Sequence, residues 1–213
     1  MREKVNSRRK RNSCLKAALS LLFFCFLFGL VSCSTPPFHI NEIRKVPDDF
    51  FGIAPYNKRI TPEDFPLIDE LGVVWQRRTC RWSSLERVPG EWDFSDWDYY
   101  VEVSKNAGKK ILAILAYDTS WVYEEKDAPR RISSRELPHF LNYVENVVRH
   151  FRGKIDAYEI WNEPNMMEWY GSNEEFITMT RAAIKTIRSV DPDVKILAGS
   201  KRFYSKDGQG RSF

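Results

Sequence analysis

The chain has 213 residues, 43% hydrophobic and 14% aromatic, a composition that suits a packed domain and excludes a solvated, disordered tail as its main content. Its formal charge of +4 belongs to the N-terminus: residues 1–32 hold seven Lys or Arg against one acid, and removing that +6 leaves −2, so the basic balance is no ground for nucleic-acid binding. Of the four cysteines only Cys80 lies beyond residue 33, which excludes a disulfide framework and a cysteine metal site.

Arg2, Lys4, Arg8, Arg9, Lys10, Arg11 and Lys16 precede an apolar run over 17–31 that falls short of the ~20 residues a spanning helix needs. The pattern predicts an export signal over 1–32. Leu30-Val31-Ser32-Cys33 resembles the lipobox of bacterial lipoproteins, which implies cleavage before Cys33 and a lipid on its thiol, tying the chain to the membrane of the bacterial cell envelope. Ser34, standing where an aspartate would resemble an inner-membrane retention signal, favours the outer membrane; an uncleaved signal anchor is the alternative. Residues 33–48, with Pro36, Pro37 and Pro47, read as a tether to a domain over 49–213.

From there apolar runs and amphipathic stretches alternate. Residues 51–56 form a first short strand pattern. Thr61-Pro62-Glu63-Asp64 starts a helix that Gly72 ends, and 73–77 is a second strand. Ser95 with Asp98 three residues later predicts a capping box, opening a helix that Gly108 closes before a third strand over 111–117. Over 136–151, Leu137, Phe140, Leu141, Val144, Val147, Val148 and Phe151 recur at helical spacing, Gly153 stops the pattern, and a fourth strand covers 155–163. Ser172 and Glu175 make another capping box ahead of Phe176, Met179, Ala183, Ile187 and Val190, and a fifth strand covers 194–198. Strands alternating with amphipathic helices predict right-handed crossovers and a parallel sheet.

An open doubly wound sheet and a closed barrel share this alternation. No Gly-rich phosphate loop follows the first strand, and the C-terminal strand ends carry polar and aromatic residues instead: Arg77, Arg78, Arg81 and Trp82, then Tyr117 and Asp118, then Asn162 and Glu163. Barrel enzymes place their chemistry at that end.

Trp161-Asn162-Glu163-Pro164-Asn165 resembles the acid/base signature of the retaining glycoside hydrolases of clan A. Arg77, Trp82, Ser83, Leu85 and Glu86, then Pro89-Gly90-Glu91-Trp92-Asp93-Phe94 and Trp97-Asp98, are similar to the second-strand segment of families near 39, with families 5 and 42 as neighbours. Ile114-Leu115-Ala116-Tyr117 with Trp121 is similar to that group's third-strand end. The resemblance covers residues 50 to about 200 and implies an α/β fold, a (β/α)8 TIM barrel that is incomplete here and covers about its first five strands. It implies hydrolysis of O-glycosyl bonds in an oligo- or polysaccharide, without a cofactor. Glu163 becomes the general acid/base and Asn162 the amide that holds the sugar hydroxyl beside the reacting carbon.

Residue chemistry agrees with those roles. A carboxyl must carry its proton to the leaving oxygen, which favours an apolar wall or a neighbouring carboxylate, and Trp161 offers such a wall. An amide donates and accepts without charge. Against this stands an ordinary Asn-Glu-Pro turn with a solvated glutamate. Arg77 is a candidate for sugar contact or for a buried ion pair with Glu159, which shares Glu163's strand parity. Trp82, Tyr117 and Trp121 are candidates for stacking on a sugar ring, with core or loop packing as the alternative. Trp169 and Tyr170 suit a cleft rim or a loop anchor equally. His39, His139 and His150 are too dispersed for any role, and no metal site is readable.

A retaining mechanism needs a second carboxylate about 5–5.5 Å from the first, which the resemblance puts on a seventh strand. The repeat count reaches only five strands before the polar residues 201–213, so the nucleophile is expected to be missing from this chain. Asp118 is a weaker replacement, suited only to the roughly 6.5–9.5 Å of an inverting pair. Two readings follow: part of a glycoside hydrolase, or a non-catalytic surface lipoprotein that binds glycans.

Overall fold

The structure is a computed structural model that describes residues 47–55, 59–124, 131–165 and 169–200. These residues belong to one compact unit, Val46–Phe213. The signal, Cys33, nearly all of the tether, His39 and residues 201–213 lie outside the described residues.

A five-stranded parallel sheet forms the centre. Its strands are β1 (Gly52–Ile53), β2 (Trp75–Cys80), β5 (Lys110–Leu115), β6 (Ala157–Asn162) and β7 (Lys195–Ser200), paired in that order. A hairpin of β3 (Glu86–Val88) and β4 (Glu91–Trp92) interrupts the count after β2. Each sheet strand pairs with the next one in the chain, as expected when successive right-handed crossovers wind in one direction, the arrangement of a barrel rather than of a doubly wound sheet.

The connecting helices are α1 (Phe65–Glu70), the single turn α2 (Trp82–Leu85), α3 (Ser95–Asn106), α4 (Leu137–His150) and α5 (Asn173–Val190). Helix α4 buries Phe140, Tyr143, Val144, Val147 and Val148, the stripe its spacing predicted. Helix α5 begins at the predicted capping box, with Ser172 accepting from the Glu175 N–H and the Glu175 carboxylate accepting from the Ser172 N–H. The box expected at Ser95 does not form. Ser95 is already inside α3, and its N–H and hydroxyl donate to Asp93 at 3.0 and 2.6 Å, so the acid two residues upstream fixes the helix entry.

Even-numbered β2 residues face the helices: the Ser104 hydroxyl of α3 donates to the buried Gln76 at 2.9 Å, and Arg78 pairs with Asp96 at 2.6 Å. Tyr143 of α4 donates to the Cys80 carbonyl. The odd-numbered residues, Arg77 among them, therefore face the opposite, inner side of the sheet. At the N-terminal strand ends the buried Lys109 donates to Asp69 and, at 2.9 Å, to the Val73 carbonyl, tying α1 to β5.

Strand bounds moved toward the C-terminus in β2, which runs to Cys80 rather than 77, and toward the N-terminus in β5, which ends at Leu115. β1 is reduced to two residues, and Tyr56 lies outside the described residues.

Candidate active site

Four polar side chains from three adjacent strands converge at the C-terminal end of the sheet. Arg77 of β2 donates through Nε and Nη2 to the two oxygens of Glu159 on β6, at 2.8 and 2.9 Å. The same Nη2 donates to Asn162 Oδ1 at 2.7 Å, and Asn162 Nδ2 donates to the Tyr117 hydroxyl at 2.8 Å. Both ends of the Asn162 amide are thus held, while a second lone pair and a second N–H stay available to a ligand. The ion-pair reading of Arg77 is the one the geometry realises. The Glu159 side chain is 3% exposed and that of Arg77 31%, so the fork-on-carboxylate pair is dry on one side and open on the other. Hydrogen bonding to Glu159 holds the guanidinium charged, with smaller contributions from Tyr117 and Glu163. Glu163 thus stands within the field of this cluster, half-buried in the turn that follows β6.

The backbone explains how Asn162 and Glu159 meet although strict alternation would put them on opposite faces. Trp161 has φ 65° and Glu163 φ 46°, left-handed values that cost a non-glycine residue about 1–3 kcal/mol each. The positive φ at Trp161 turns its ring to the helix side, where it is fully buried against Phe140, Tyr117 and Trp169, with ring centroids 6.1, 5.6 and 5.1 Å away. The next residue, Asn162, then faces inward beside Glu159. Pairing register with β7 is the same on both sides of the switch. Gly199 makes room: a Cβ there would stand 2.8 Å from the Ile160 carbonyl oxygen and 3.1 Å from that of Trp161. Alternation gave no signal for this switch, although Gly199 opposite Trp161 is a local one.

Trp82 does not reach the cleft. It is fully buried, stacks on Tyr143 at 5.4 Å and donates from Nε1 to Glu86 at 2.6 Å. Its aromatic face belongs to the core beneath the hairpin, where Glu86 also accepts from the Gly90 N–H at 2.8 Å. Trp121 is partly buried against Trp82 and donates to the Glu86 carbonyl at 2.8 Å, which anchors the loop after β5. Tyr117 is buried, with its hydroxyl on Asn162 and the Arg81 guanidinium 4.8 Å above its ring. Trp169 is a loop anchor: it packs on Trp161 and Phe176 and donates to the Ser172 carbonyl at 3.3 Å. The Tyr123 hydroxyl donates to the Arg131 carbonyl at 2.8 Å, and its pKa is raised chiefly by burial and further by the neighbouring Asp118 carboxylate. His150 meets Asp98 at 2.7 Å and stacks on Phe94, a surface contact joining α4 to α3.

The fold is that of a (β/α)8 barrel over its first five strands and the four crossovers between them. The proteins it resembles are glycoside hydrolases. A family 39 glycoside hydrolase from the gut symbiont Bacteroides cellulosilyticus WH2 superposes with a TM-score of 0.62 at 20% identity, over 71% of this chain and 31% of that one. Xylanase 10B from Thermotoga maritima gives 0.54 at 15% identity, over 70% and 49%. In sequence, a beta-1,4-xylanase of Dictyoglomus thermophilum is 25% identical over 195 residues, 84% of this chain and 53% of the relative. The endo-1,4-beta-xylanase A of Phanerodontia chrysosporium is 22% identical over 177 residues, 76% and 42%. The chain thus spans about half the length of the curated relatives it matches. No family model matches it.

Proposed function

We propose that this chain carries the acid/base half of a retaining glycosidase that cleaves O-glycosyl bonds in a polysaccharide, with Glu163 as the general acid/base. The observation that carries the reading is the pair of left-handed residues flanking Asn162: strain on both sides of one amide, fixed by Arg77 and Tyr117, is what a preorganised ligand group looks like and what an ordinary turn has no reason to keep. In the proposed reaction Glu163 gives its proton to the leaving oxygen as a second carboxylate attacks the anomeric carbon from the other face. Glu163 then takes a proton from the water that releases the sugar. Asn162 holds the hydroxyl next to the reacting carbon through its spare N–H and lone pair, and Arg77 and Tyr117 position that amide.

Glu159 is committed to Arg77 and Asp118 lies beside Tyr123 in the loop after β5, so the proposal assigns the nucleophile to a strand that the described residues do not include. Kinship with clan A, nearest to family 39, and xylan as the first polymer to assay are parts of the same proposal, supported by the resemblances above. Lipidation of Cys33 and outer-membrane attachment are proposed from the Leu30 to Cys33 motif alone; Cys33→Ala is expected to abolish incorporation of labelled palmitate, and unchanged labelling removes the anchor.

The test of Glu163 uses the protein expressed from its complete gene. Glu163→Gln is expected to lower kcat on xylan or another unactivated glycan by about 10²–10⁴-fold, while the first step on an aryl glycoside with a good leaving group, which needs little protonation, is spared. Equal loss on both substrates takes the acid role away from Glu163. Glycan binding with no hydrolysis by the unmutated protein supports the non-catalytic alternative.

A further inference from the structure

Beside the Asn162 cluster, between the loop after β1 and the β2–α3 connection, the surface holds a depression of about 470 Å³ with an unusual charge pattern. Four arginines line it, Arg59, Arg78, Arg81 and Arg87, against two aspartates, Asp93 and Asp96. The size falls in the roughly 300–1,000 Å³ span of small-ligand pockets. Only Arg78 has an ion-pair partner among the described residues, Asp96 at 2.6 Å. Arg59 lies over the Tyr99 ring at 4.0 Å and Arg81 over Tyr117 at 4.8 Å, contacts that fix guanidinium positions without neutralising their charge. Asp93 accepts from Ser95 and also lies within the field of Arg87, so one carboxylate serves both.

Guanidinium groups gathered at one concavity repel each other, and the sequence beyond residue 32 is net acidic, so a general excess of basic residues does not account for the gathering. Planar, always-charged forks held by aromatic faces match a carboxylate or a sulfate, which they engage through paired hydrogen bonds. The arginines gather in one half-open depression rather than along a basic stripe, which disfavours a nucleic-acid backbone. Arg81 supplies the link to the candidate active site: its guanidinium covers the Tyr117 ring, and the Tyr117 hydroxyl accepts from Asn162. Arg81 borders both regions, since it lines the depression and covers the ring of the tyrosine that meets Asn162.

We propose that this arginine-lined depression is an anion subsite that receives a carboxylate or sulfate group carried by the saccharide ligand. Placing a sugar in the neighbouring cleft rests on the glycosidase reading; the presence of an anionic-glycan site does not require cleavage. The test is equilibrium binding of the full 213-residue chain to an array of neutral, uronate-bearing and sulfated oligosaccharides, followed by calorimetry on the strongest binder and its neutral counterpart, with sodium sulfate as competitor.

Binding at least about tenfold tighter to the anionic glycan is expected, weakening as salt rises. The double variant R59Q/R87Q is expected to bring it down to the neutral level, with far-UV circular dichroism unchanged. Preference for uronates assigns the charge to a carboxylate and preference for sulfated glycans to an ester. No anionic preference, a preference that survives R59Q/R87Q, or sodium sulfate binding as tightly as the glycan overturns the proposal. An arginine-dependent preference in a protein that cleaves nothing leaves the subsite standing and removes only the catalytic reading.

Discussion

Arg77 serves two purposes that a double substitution separates. It neutralises the buried Glu159 and it orients Asn162. Arg77→Met strands the Glu159 charge and should cost about 2–3 kcal/mol in urea unfolding, below the ~3–5 kcal/mol of a fully enclosed pair because the arginine side chain is partly solvated. Adding Glu159→Leu removes the stranded charge, and stability should return to within about 1 kcal/mol of the parent. Glycan affinity should stay low in both variants, since neither restores the donor to Asn162. A double variant as unstable as the single one would contradict the pairing. Glu163, Asn162, Arg77 and Tyr117 stand out as candidates in the sequence because they are polar residues at or near the C-terminal ends of apolar strand patterns. That Arg77 pairs with Glu159 and holds Asn162 at once is not legible there, since it depends on Trp161 switching faces, a backbone event that alternation cannot signal. Trp82 is ambiguous for a related reason: a tryptophan after a strand end reads the same in sequence whether it lines a cleft or, as here, stacks on Tyr143 beneath a hairpin.

Among the elements, β6 carries Glu159 and Asn162, and its approach to β7 depends on one glycine. Gly199→Ala forces a methyl group against two backbone carbonyls that cannot rotate away, and should destabilise by about 1–3 kcal/mol while loosening Asn162. Wild-type stability and affinity in that variant would show that the close approach is not structural. Ser172→Ala removes the capping box of α5 and should cost about 1 kcal/mol without touching ligand affinity, because the cap lies outside the cluster. The five sheet strands and the stripes of α4 and α5 could be read from periodicity because long apolar patterns average over local exceptions, whereas the strand order rests on the strand-end motifs and the barrel resemblance. The hairpin of β3 and β4 could not: with five residues in strand and a Pro89-Gly90 turn, it is too short for period-two alternation to declare itself.

At the scale of the whole molecule, the packing between sheet and helices sets an alkaline limit. Burial raises the Cys80 thiol and the Tyr100, Tyr143 and Tyr158 hydroxyls above ordinary values of 9.0 and 10.0. Groups whose folded pKa is raised stabilise the fold fully below the unfolded pKa, and that contribution is lost as pH rises from there through the folded value. Stability in urea should therefore be flat with respect to these groups below pH 9 and fall above it, with the buried tyrosines' share of the tyrosinate absorbance appearing in step with unfolding. Ionisation of the full complement of tyrosines, the buried three included, well before unfolding would contradict this packing.

The catalytic assignment has a more direct test in the protein expressed from its complete gene. With Glu163→Ala and an activated aryl glycoside, the glycosyl-enzyme should form and then wait, because no base remains to activate water. Sodium azide needs no base; it should restore turnover and release a glycosyl azide with the anomeric configuration of the substrate. No acceleration by azide, or a product of inverted configuration, would contradict Glu163 as the acid/base of a retaining glycosidase.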